Sequence, residues 1–126
     1  MPDSDLVDSK TLRIAVVGPC ASGKSTLTKA LKAAGYEARH PAQEHSYVPN
    51  MWQRISKPDL LIYLDVDYAN TLARRPHTGG GPQRLAEQRH RLRHARENCD
   101  FYLDTSDLSE GEVETAVFNF LANLSE

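Results

Sequence analysis

Long apolar runs are missing from this chain: none approaches the ~20 residues that a helix needs to cross a bilayer. The opening Met1-Pro2-Asp3-Ser4-Asp5 is acidic where a secretory leader is basic. A membrane is therefore not an expected partner, and the protein is expected in the cytoplasm. Cysteine is scarce. Cys20 and Cys99 are too few and too far apart in sequence to suggest a disulfide framework or a metal motif. An excess of one charge is also lacking, since 15 Lys and Arg against 17 Asp and Glu leave a net charge of −2. Bulk charge thus points to no clear nucleic-acid binding. With 126 residues there is little room for a second domain. Residues 11–126 read as a single domain. Residues 1–10, with three Asp, two Ser and little apolar content, read as a disordered leader.

What the chain does have is concentrated near its start. Leu12, Ile14, Ala15, Val16 and Val17 form a short run rich in β-branched residues, the pattern of a buried parallel strand. Gly18, Pro19, Cys20, Ala21, Ser22, Gly23, Lys24 and Ser25 follow and fit G-x-x-x-x-G-K-[ST]. Leu27, Ala30, Leu31 and Ala34 then recur with helical spacing, and Gly35 stands where a left-handed C-terminal cap belongs. Strand, glycine loop and helix in this order aim backbone N–H groups and a helix N-terminus at an anion. Gly18 and Gly23 permit close backbone approach, Lys24 supplies positive charge to β- and γ-phosphates, Ser25 offers a hydroxyl to Mg²⁺, and Thr26 is placed for the α-phosphate. Cys20 reads either as a reactive thiol beside Lys24 or, preferably, as a small residue tolerated in the loop.

Farther along, residues 36–42 form a weaker candidate strand that Pro41 confines to an edge. Trp52 anchors a short helix, and residues 60–64 form a second clear strand that ends in Asp65. Asp67 can cap a helix over 68–75. Gly79, Gly80 and Gly81 read either as a mobile lid or as a plain linker. Residues 84–98 read as one helix with five arginines, on which His90 and His94 are surface histidines rather than a zinc pair. A short strand over 101–103 precedes a final helix that opens with a capping box, Ser109 and Glu112.

These motifs resemble the P-loop NTPase superfamily, within it the nucleotide- and small-molecule-kinase branch. Gly18 to Thr26 look like its phosphate loop. The strand to Asp65 and the helix ending in Arg74 and Arg75 look like the region before its lid, and Thr105 and Ser106 look like its turn near the nucleotide base. The resemblance implies a three-layer α/β P-loop NTPase fold with a small parallel sheet of about four strands flanked by helices. It implies ATP or another NTP, with Mg²⁺, as cofactors. It departs from the family where a substrate-binding segment shrinks to one short helix.

If the strand over 36–42 neighbours the first strand, Glu44 takes the place of the magnesium-linked acid. If the strand over 60–64 does, Asp65 takes it. Glu44 is preferred. His45 could act as a base or bind substrate. Lys24 with Arg74, Arg75 or Arg84 would clamp transferring charge. The expected function is Mg²⁺-dependent phosphotransfer from ATP to an unidentified small molecule. The alternative is a nucleotide-binding switch for a protein partner, and a homodimer stays open.

Overall fold

The computed structural model describes residues 12–77 and 79–124, so the leader read over residues 1–10 lies outside the described residues. Four strands, β1 (Arg13–Val17), β2 (Glu37–Arg39), β3 (Leu60–Asp65) and β4 (Phe101–Asp104), form one sheet in the order β2-β1-β3-β4. Every pairing is parallel. Helices α1 (Lys24–Ala33), α2 (Met51–Ser56), α3 (Tyr68–Arg74), α4 (Gly81–Arg91), α5 (Arg93–Asn98) and α6 (Glu110–Leu124) connect and flank them, and a 3₁₀ turn spans Gln43–His45.

The apolar run of β1 is continuous because both of its faces are covered. Ile14 and Val16 pack with Ile62, Leu64, Leu27 and Leu31 of α1, and Val113, Val117 and Leu121 of α6. Ala15 and Val17 turn the other way, to Leu61, Tyr63, Trp52 of α2, Leu92, and Ala95 of α5. Helices thus lie on both faces of the sheet. Trp52 is buried, as expected of an anchor. No helix among the described residues is long and apolar enough to cross a membrane.

Local signals hold where they concern helix ends. Gly35 has φ 98°, and the Tyr36 N–H behind it donates to Leu31 O at 3.0 Å. Asp67 Oδ1 accepts the Asn70 N–H at 2.8 Å. Ser109 and Glu112 cap each other reciprocally, at 3.1 and 2.8 Å.

Three expectations change. The second strand is only Glu37–Arg39, because Pro41 ends it and the chain turns at Gln43–His45. The single helix read over 84–98 is two, broken where Leu92, at φ −95° and ψ 0°, drives a fully buried side chain into the core. The glycine triplet is not wholly a loop: Gly80 (φ 97°) and Gly81 (φ 59°) form the start of α4, and Pro82 sits in the first turn where its missing N–H costs nothing.

Candidate functional site

The site grows from the junction of β1 and α1. Gly18 lies so close to the end of β3 that a Cβ would collide with Leu64 O and lie 2.8 Å from Ser22 Oγ. Ala21 (φ 69°) and Gly23 (φ 95°) are both left-handed, which coils the loop back on itself. Gly23 then starts α1 with no side-chain cap and no acidic residue in the first turn. The orphan N–H groups of that turn and the positive end of the helix dipole are therefore left for a ligand.

Lys24 is folded over the loop. Its Nζ donates to Gly18 O at 2.8 Å and Pro19 O at 3.1 Å, and it pairs with Glu44 Oε2 at 2.8 Å. Both side chains are nearly buried, at 10% and 6% exposure. The other carboxylate oxygen, Glu44 Oε1, is buried with no hydrogen-bond partner among the described residues, as is Ser22 Oγ. Such orphans are costly unless a ligand or ion completes them.

A cavity of about 630 Å³ opens beside this pair. It gathers Cys20, Ala21, Ser22, Gly23, Lys24, Ser25, Thr26, Glu44, Arg74, Arg75 and Thr105 from the expected set, and His45 with them. Gly18 and Pro19 support it from behind through their carbonyls. Arg84, Asp65 and Ser106 do not line it.

Since β1 lies between β2 and β3, strand adjacency alone does not choose between the two acids. Side-chain contacts do distinguish them. Asp65 Oδ1 accepts from Arg89 at 3.2 Å and Asp65 Oδ2 from Tyr102 at 2.6 Å, on the α4 side of the sheet and away from Lys24. Burial, reinforced by the bond to Asp65, pushes the Tyr102 hydroxyl up to about 12.

The arginines divide. Arg74 donates to Ala21 O at 2.8 Å, Thr105 Oγ1 at 3.1 Å and Thr105 O at 2.6 Å. It therefore ties the glycine loop to the turn after β4. Thr105 Oγ1 in turn donates to Asp65 O at 2.8 Å. Ser106 faces away, donating to Asp104 Oδ1 at 2.6 Å and accepting the Asp67 N–H at 2.8 Å. The Ser106 hydroxyl first, and then the Ser106 N–H, which donates to the same oxygen at 2.9 Å, hold the Asp104 carboxyl below the usual range. Arg84 stands outside, its Nη2 3.9 Å from Cys20 Sγ.

Sequence reasoning missed Gln88. It is 3% exposed, accepts the Cys20 N–H through Oε1 at 2.9 Å and donates to Cys20 Sγ at 3.3 Å. The signal was present: Gln88 occupies the same helical stripe as Leu85 and Leu92. Gln43, fully buried just beyond the candidate strand over 36–42, braces the site from below, accepting the Trp52 N–H and donating to Val48 O and Arg91 O. His40, Glu110 and Glu114 also line the cavity, and Thr26 Oγ1 donates to Glu110 at 3.3 Å. Neither a comparison with protein-family models nor a search of curated proteins finds a match to this chain.

Proposed function

We propose that this protein is a shortened member of the P-loop NTPase superfamily that binds ATP or another NTP with Mg²⁺ and transfers a phosphoryl group to a small-molecule acceptor. The observation that carries the reading is the Lys24–Glu44 pair at an uncapped helix N-terminus, set behind a loop that turns through left-handed Ala21 and Gly23. A buried ion pair is weak evidence for stability, whereas a cation and an acid facing a cavity beside free backbone N–H groups suit a phosphate and its metal.

The residues fit both groups. The N–H groups at the start of α1 and Lys24 would hold phosphate oxygens, and Ser25 and the orphaned carboxylate of Glu44 would hold Mg²⁺. When bound, the ion neutralises developing phosphate charge. Lys24 orients the phosphates, Arg75 lies at the cavity for further charge, and Arg74 keeps the loop in its coiled form through Ala21. A second reading, a nucleotide-binding switch, is favoured by Arg74, which lines the cavity but whose guanidinium is already engaged by Ala21 and Thr105.

Lys24→Ala removes the main cation, so ATP affinity should fall at least ~10-fold, or about 1.4 kcal/mol. Titration calorimetry checks this, and unchanged affinity would sink the proposal. Phosphate-product analysis with and without small-molecule acceptors separates a kinase, which needs the acceptor for rapid turnover, from a switch.

A further inference from the structure

Three side chains from two elements meet at the mouth of the cavity. Cys20, from the glycine loop, and Glu44 and His45, from the 3₁₀ turn after β2, each offer a ligand atom, and these atoms lie within 4.8 Å of one another. We propose that they form a binding site for a borderline-soft divalent cation of the Zn²⁺ class. The site goes beyond the phosphotransfer reading and does not rest on it, although Glu44 has a part in both.

The spacing is that of a coordination sphere. Cys20 Sγ and His45 Nε2 are 3.6 Å apart, against about 3.5 Å for the edge of a tetrahedron built from Zn–S and Zn–N bonds of about 2.3 and 2.0 Å. His45 Nε2 is 3.8 Å from Glu44 Oε2. While Oε2 stays with Lys24, the buried Oε1 has free lone pairs. That unpartnered oxygen is a second, independent sign of a missing ligand.

The donor set selects the cation. Thiolate and imidazole are poor ligands for Mg²⁺ or Ca²⁺ and good ones for Zn²⁺ and Co²⁺. Gln88 Nε2 donates to Cys20 Sγ at 3.3 Å while its Oε1 is fixed by the Cys20 N–H, the kind of outer contact that orients a metal-bound sulfur. Three protein ligands leave a fourth position for water from the cavity. On binding, the Cys20 thiol gives its proton to solvent, the sulfur–metal bond forms, and no electron is transferred.

The test uses the full-length, reduced protein without nucleotide or Mg²⁺, titrated with Co²⁺ and followed by absorbance. Saturation near one equivalent should bring a sulfur-to-cobalt charge-transfer band and strong visible bands of a tetrahedral ion, both removed by Zn²⁺. Cys20→Ser should abolish the charge-transfer band, and His45→Ala should weaken binding at least ~10-fold. Cys99→Ser should change nothing. His45 is half exposed, so its variant keeps the test informative should Cys20→Ser misfold by circular dichroism. Absence of the band in the unaltered protein, its loss in Cys99→Ser, or an unchanged affinity in His45→Ala would each overturn the proposal.

Discussion

Lys24 and Glu44 satisfy each other's charge inside the fold; the three N–H donors of Lys24 are taken by Gly18, Pro19 and Glu44, while Glu44 keeps one oxygen without a partner among the described residues. Removing one partner would leave the other buried and uncompensated, which costs far more than loss of an exposed pair. Glu44→Gln keeps the shape of the site while deleting the charge on the proposed metal ligand, so it should weaken Mg²⁺-dependent ATP binding or turnover. Asp65→Asn should leave that dependence nearly intact. Its cost should fall on stability instead, because Arg89 and Tyr102 lose their acceptor's charge. Calorimetry with ATP at several Mg²⁺ concentrations, paired with urea unfolding, ranks the two variants. The reverse ranking would transfer the metal role to Asp65.

At the scale of elements, α4 begins where glycine is required. At Gly80, φ is 97° and an added Cβ would lie 2.7 Å from Arg84 Cβ. Gly80→Ala should therefore destabilise the protein by about 1–2 kcal/mol. At Gly79 an added Cβ meets nothing within 4 Å, so Gly79→Ala should be neutral or slightly stabilising. Urea unfolding of both variants checks the contrast. Equal effects would mean that the left-handed start of α4 is not maintained in solution. The triplet looked uniform in sequence because positive φ belongs to the path of the chain and not to residue type alone. The join of β1, loop and α1 was readable for the opposite reason: its apolar run, glycines and stripe are all local. The break at Leu92 was hidden, since an apolar residue on a helical stripe reads the same whether the helix continues or bends to bury it.

In the whole molecule, contacts across the sheet decide what local pattern cannot. The parallel pairing of β1 with β2 brings the turn at Gln43–His45 to the glycine loop, so Cys20 and His45 meet although sequence separation concealed them. The same sheet faces Asp65 toward Arg89.

Burial of tyrosines beside Asp65 also gives the fold a pH response. The Tyr102 hydroxyl is raised from 10.0 to about 12, and Tyr63 is pushed up in the same sense by its deeper burial. The native state thus holds these protons more tightly than the unfolded chain does. Both contributions are complete below pH 10; that of Tyr102 is lost as pH rises from 10 toward 12, and that of Tyr63 over a range that extends higher. Stability measured across that range should fall less steeply in Tyr102→Phe than in the unaltered protein. Parallel slopes would refute the assignment.

The inward fold of Lys24 has a consequence for how fast a polyanion is captured. With its charge matched at 2.8 Å by Glu44, and with Arg74 and Arg75 on the cavity wall offset by Glu110 and Glu114, the site projects little net positive field into solvent. Long-range steering is the part of association that salt suppresses. Arrival should therefore be governed by diffusion and by rearrangement at contact, with an on-rate nearly independent of ionic strength, while discrimination resides in how quickly the visitor leaves.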